Sequence, residues 1–391
     1  MWARKKRLGT GWALAMLLTA GVAATPAQAE TVRSQQWHLD AMHADEMWKV
    51  STGEGVTVAV IDTGVDDSLP DLQGQVLEGK DFSGQAGGAH RDAYDHGTAM
   101  AALIAGTGKR ANGSGSFGLA PGTKILPLRV TDGTQARNEA EDSRDFSASV
   151  SAAIRYAADS EAKILNISMS QQNDSPQISE AVRYALQRGK LIFAAVGNSG
   201  EKGNPVQYPA ATPGVIGVAA IGRDGTSTKE SEHGPQVTLA APGDEMVSAC
   251  AGGTQLCKGH GTSDATAIAS ASAALLWSVH PTWTANQITR VLINTAGGPE
   301  NGKKRTDLIG YGVVRPRIAL KDPGDPGPAD VSPLPGPESK SAAGEVQKQT
   351  ATASKGDDGP NPTWIAWGIG AAVLLGAVIT VPILIARRRG I

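Results

Sequence analysis

Three side chains far apart in the sequence have the types needed to turn a hydroxyl into a nucleophile: Asp62, His96 and Ser263. A serine hydroxyl attacks poorly unless a base takes its proton. An imidazole suits that task near neutral pH, and a carboxylate can fix its tautomer and balance its charge. Asp62 follows the apolar run 56–61 in Ile61-Asp62-Thr63-Gly64, so a buried strand would hold it rigidly. His96 lies in Asp95-His96-Gly97-Thr98, directly before an apolar helical run. Ser263 lies in Gly261-Thr262-Ser263-Asp264-Ala265, where a glycine-flanked loop enters an Ala/Ser-rich helix. Free N–H groups at that helix start favour negative charge. Asn198 closes Ala194-Ala195-Val196-Gly197-Asn198-Ser199-Gly200 and offers an amide donor to a developing oxyanion. Each residue alone has an ordinary explanation: a turn cap, a surface or core histidine, an N-cap serine, an Asx turn. Together, the order Asp, His, Ser matches one of the three known chain orders of a Ser-His-Asp triad. The single Asp-Thr-Gly excludes paired catalytic aspartates, and the lack of Gly-x-Ser-x-Gly argues against an esterase of the hydrolase-elbow type.

These residues need a scaffold that brings them together. The runs 56–61, 125–130, 163–168, 191–196 and 215–220 are apolar on both faces, as buried parallel strands require. Helical stretches alternate with them at 97–106, 147–160, 175–188 and 263–280. The alternation predicts an α/β domain whose parallel sheet is covered on both sides, with its site at the carboxyl ends of the strands.

The rest of the chain predicts location. Arg4 to Arg7, the apolar stretch 11–22 and Ala27-Gln28-Ala29 read as a secretory signal over 1–29, with a mature start at Glu30. Cys250 and Cys257, the only cysteines, read as a disulfide in an exported protein, pinning a loop before Ser263. The globular domain is expected over 30–320. A Pro/Gly-rich disordered stalk is expected over 321–362, a transmembrane helix over 363–386 and a basic cytoplasmic tail over 387–391. That order puts the domain outside the cytoplasm on a single-pass anchor. A formal net charge of -2 gives no reason to expect a nucleic-acid partner.

Together these segments resemble the subtilisin-like (subtilase) serine proteases. The resemblance is carried by Val58 to Asp66, Asp95 to Thr98, Ala194 to Gly200 and Gly261 to Ser263, with support from Gly118 to Pro121, Tyr208 to Ala210 and Ala241 to Gly243. It implies a parallel sheet of about seven strands and peptide-bond hydrolysis through an acyl-enzyme. It also implies Asp62, His96 and Ser263 as triad, Asn198 as oxyanion donor, and substrate contacts at Ser168, Met169, Ser170, Ala195 and Gly197. The layout of signal, short pre-domain segment, protease, stalk, helix and basic tail looks like the mycosins, membrane-anchored subtilases associated with type VII secretion. That resemblance implies a protein or peptide substrate and a secretion machinery as partner. The alternative is a weakly active relative with a mainly structural or binding role in a secretion complex.

Two positions depart from the family pattern. Ala267 stands where proline is usual, and Ser170 stands where glycine is usual, which predicts narrow specificity. Asp264 is also not the commonest residue after the nucleophile; its carboxylate faces either the helix N-terminus or the substrate. No cofactor is required. Calcium is conceivable at Asp66, Asp67 and Asp71, although no ligand spacing compels it.

Overall fold

The computed structural model describes residues 31–252, 255–300 and 302–334. The expected signal, membrane span and tail, and the stalk from 335 onward, lie outside these residues. Strands β1 (Thr57–Asp62), β2 (Lys80–Asp81), β3 (Lys124–Arg129), β4 (Ile164–Ile167), β5 (Leu191–Ala195), β6 (Ile216–Ile221) and β7 (Val237–Pro242) form one parallel sheet in the order β2-β3-β1-β4-β5-β6-β7. Strands β8 (Met246–Ala249) and β9 (Leu256–Gly259) pair antiparallel beside it.

Ten helical segments occur among the described residues: α1 (Val32–Gln35), α2 (Trp37–Ala41), α3 (Ala44–Met47), α4 (His96–Ala105), α5 (Arg110–Gly113), α6 (Glu139–Asp159), α7 (Pro176–Gln187), α8 (Thr262–Val279), α9 (Ala285–Thr295) and α10 (Pro316–Lys321). None of the described helices is long and apolar enough to cross a membrane.

Strand geometry sends alternate side chains to opposite faces. Val58 and Val60 of β1 enter one core with residues of α4 and α8, while Ala59 and Ile61 enter a second core with α6 and α7. Both faces of the sheet are therefore dry, which is why its strands read as unbroken apolar runs. Each fully buried aliphatic side chain of β1, such as Val58 or Ile61, contributes about 2 kcal/mol through area removed from water. Helix α8 is buried along Thr262–Trp277, and its small Ala and Ser side chains let it lie close on the sheet. Ala267 is fully buried within this unbroken helix.

Three expectations need correction. Helix α6 starts at Glu139 rather than near 147, because Asn138 caps it by accepting from the Glu141 N–H at 3.0 Å. Acidic residues in its first turn favour that end electrostatically while hiding the apolar period. Strand β7 and the β8–β9 hairpin had no strong β-branched signature.

The third correction concerns residues 322–334, expected as disordered stalk, which are laid along α9. Arg290 donates to the carbonyls of Pro326, Pro328 and Val331, and Gln287 and Asn286 donate to those of Gly327 and Ala329. A Pro-rich segment lacks N–H donors but keeps its acceptors. A helix face carrying Arg, Gln and Asn can therefore hold it without burying much apolar surface.

Candidate active site

The strand order reverses direction around β1, with β3 on one side and β4 on the other. A crevice at the carboxyl ends of the strands is expected at such a switch point. Asp62 ends β1 there and is fully buried. Its Oδ1 lies 2.7 Å from His96 Nδ1 and also accepts the Thr63 N–H at 2.8 Å. His96 opens α4, and Gly97 beside it packs against Gly64 and the Asp62 side chain, an approach that a Cβ at 97 would block.

The attraction of Asp62 is the main force raising the His96 pKa, to about 9. Burial opposes this, while the Asp62 hydrogen bond and the charges of Asp264 and Asp92 add to it.

Ser263 stands in the first turn of α8 and is nearly buried. Its hydroxyl donates to the Ser168 carbonyl at 3.1 Å, rather than to His96. In return, the Ser168 hydroxyl donates to the Ser263 carbonyl at 3.2 Å and accepts from Asn166 Nδ2 at 3.1 Å. The end of β4 and the start of α8 are thus locked to each other.

Asn198 is exposed just past β5. Its Oδ1 accepts from the Thr262 N–H at 2.9 Å and from the Thr262 hydroxyl at 3.1 Å. With the oxygen so held, the amide nitrogen faces away from Thr262, free to donate. Gly261 makes this possible: its φ is 132°, and a Cβ there would fall 3.0 Å from the Asn198 amide.

A cleft of about 580 Å³ opens beside Ser263 and Asn198, lined in part by Ser168, Ser170, Ala195 and Gly197 as well. Met169 turns the other way and packs on the second core, as strand alternation dictates for the residue between Ser168 and Ser170. Ser170 is exposed at the cleft. Asp264 is 4 % exposed, and burial raises its carboxyl to about 7 against the pull of His96 and His260.

Cys250 and Cys257 are bonded across the β8–β9 hairpin, whose second strand leads through Gly259 into the loop before Ser263. Asp95, at φ 61°, accepts the Ala251 N–H at 3.2 Å and ties this hairpin to the start of α4.

Asp92 was not legible in the sequence. Its Oδ1 accepts from the Thr63 hydroxyl at 2.8 Å, and its Oδ2 accepts the Thr98 N–H at 2.8 Å. One carboxylate therefore braces the segments that carry Asp62 and His96. Thr262, which orients Asn198, was also missed, although it directly precedes Ser263.

The acids considered for calcium do not converge. Asp71 is buried and accepts the Arg110 and Ser116 N–H groups, Asp66 caps Ser68, and Asp67 lies 3.4 Å from His90. Among the described residues, no three His, Cys, Asp or Glu side chains gather as metal ligands.

Comparison with known proteins gives the same picture. The subtilase family model matches residues 53–313. Mycosin-1 of Mycobacterium tuberculosis is 33% identical over 341 residues, covering 75% of this chain and 74% of that protein. Fervidolysin of Fervidobacterium pennivorans is 32% identical over 320 residues, but the match spans only 45% of its length. Among solved structures, MycP1 from the ESX-1 type VII secretion system superposes with a TM-score of 0.67 at 29% identity, covering 78% of this chain and 90% of that one. A chain of the periplasmic assembly from the ESX-5 inner membrane complex gives 0.67 at 26% identity, covering 86% and 91%. By family match, by relatives and by fold, the chain belongs to the subtilase family of serine proteases and within it is similar to the mycosins.

Proposed function

We propose that the protein is an extracytoplasmic, membrane-anchored serine endopeptidase of narrow specificity that works with a type VII secretion machinery. The observation that carries the catalytic part is the 2.7 Å bond from His96 Nδ1 to a fully buried Asp62, beside a serine at the mouth of a helix. In this reading a substrate strand lies along Ser168–Ser170. Rotation about the Ser263 Cα–Cβ bond moves the hydroxyl from the Ser168 carbonyl to His96 Nε2. His96 takes the proton as Oγ attacks the carbonyl carbon, and Asp62 holds the imidazolium. The Asn198 amide donates to the oxyanion. His96 then protonates the leaving amine, and water deacylates the serine by the same route. Catalytic hydrogen bonds in ligand-free enzymes are commonly loose, so the resting bond to Ser168 is compatible with this sequence.

The secretion partnership is supported by the mycosin relative and by the similar structures from the ESX-1 type VII secretion system and the ESX-5 inner membrane complex. The anchor is supported by the apolar stretch 363–386 followed by Arg387, Arg388 and Arg389.

One observation favours a second reading, a weakly active relative with a structural role: the Ser263 hydroxyl rests on Ser168, not on His96. A fluorophosphonate probe separates the two. The wild type should be labelled on Ser263 within minutes, and Ser263→Ala should take no label; an unlabelled wild type would favour the structural role. Asn198→Ala should keep probe binding sites and KM near wild type while kcat falls about 10²–10³-fold, read in steady-state peptide hydrolysis. An unchanged kcat would remove Asn198 from the oxyanion site.

A further inference from the structure

We propose that Gln207, backed by Glu232, forms the floor of the cleft beside Ser263 and selects substrates with a hydrogen-bond-donating side chain just before the scissile bond. The inference rests on the hydrolase reading and names the substrate class for that site.

The attacked carbonyl must point at Asn198 with its carbon at Ser263. The side chain on its acyl side then enters the part of the cleft walled by Ser168, Ala195 and Gly197. Gln207 lines this same cleft and is 8% exposed. It lies directly against Gly197: a Cβ on Gly197 would come within 2.6 Å of Gln207 Cγ and 2.5 Å of the Glu232 carboxyl. Only glycine lets these two side chains pack beneath the wall.

The direction of the Gln207 amide is set from below. Glu232 is fully buried, and its Oε1 accepts both the Ser199 N–H and Gln207 Nε2, each at 3.2 Å. Glu232 Oε2 has no partner among the described residues. Burial raises the Glu232 pKa, and a proton on the carboxyl would sit on that unpartnered oxygen, so Oε1 remains an acceptor in either state. With Nε2 turned down to Glu232, Gln207 Oε1 takes no hydrogen bond from a described residue and is presented to the cleft as an acceptor. An apolar side chain entering there strands that oxygen, while an amide or ammonium group satisfies it.

The experiment uses the full chain and two acyl-tripeptide substrates ending in a coumarin amide, identical except for Gln or Met before the cleaved bond. These side chains have nearly the same length and shape, so the comparison isolates the donor. The wild type should favour Gln by about tenfold in kcat/KM. Gln207→Met should reverse the preference while fluorophosphonate labelling of Ser263 continues. A wild type that takes the probe and cleaves both peptides but favours Met overturns the assignment, and that comparison needs no variant. If neither peptide is cleaved and Ser263 takes no probe, the hydrolase reading itself falls, and the floor assignment with it.

Discussion

Replacing His96 with alanine is expected to lower kcat for peptide hydrolysis by about 10⁴-fold or more, with KM little changed and the fold intact. The expectation follows from geometry: a fully buried carboxylate holds the His96 ring at 2.7 Å, and the cleft beside Ser263 is lined by no histidine that could replace it. The acid limb of the wild-type profile carries a further signature. A general base works only when neutral, so kcat/KM must rise as pH rises through the His96 ionisation. Asp62 first, with smaller pulls from Asp264 and Asp92, holds that ionisation near 9. Activity should therefore climb on the alkaline side of neutrality rather than near 6.5. Asp264 ionises at about 7, so it is anionic across this rise. Asp264→Asn removes that charge and should move the acid limb to lower pH. Profiles of kcat/KM for both proteins test the argument. Superimposable limbs would mean that Asp264 does not act on His96.

The second large effect concerns stability in acid. His38 of α2 is fully buried, and neither ring nitrogen has a hydrogen-bond partner among the described residues. Burial, assisted by the nearby positive charge of Arg33, lowers its pKa to about 3. The unfolded chain binds this proton near 6.5, whereas the folded chain refuses it until about 3. Between those values the unfolded state holds more protons, so stability present above pH 6.5 is lost as the pH falls toward 3. The full difference is on the order of 5 kcal/mol, of which about 3 kcal/mol is lost by pH 4.5. The segment at risk includes Gln36, whose amide bonds Phe117 and the Val247 carbonyl and so ties the first helices to the domain. Urea unfolding at pH 7 and pH 4.5 should show a smaller acid loss in His38→Leu than in wild type, by about 3 kcal/mol. Equal losses in the two proteins would place the acid sensitivity elsewhere.

Much of the site and of the sheet was legible in the sequence. Asp62, His96, Ser263 and Asn198 each lie within a short local motif, and five of the seven sheet strands announce themselves as apolar runs. The cysteine pair was legible from its number and spacing. Strand β7 was hidden because Val237–Pro242 combines one β-branched pair with two alanines and a proline, and the polar first turns of α6 concealed its start.

Residue order along the chain therefore determined the chemical types, the alternation of strands and helices, and the motifs that name the family. Only the tertiary structure decided that Asp92 braces two of those motifs, that Gln207 and Glu232 lie under Gly197, and that the resting Ser263 hydroxyl turns to Ser168. The physical reason is range. Helix and strand periodicity comes from neighbours a few residues apart, whereas Asp92, Gln207 and Glu232 sit in irregular loops without a period. Their partners are chosen by which strand ends the packed sheet brings to one edge.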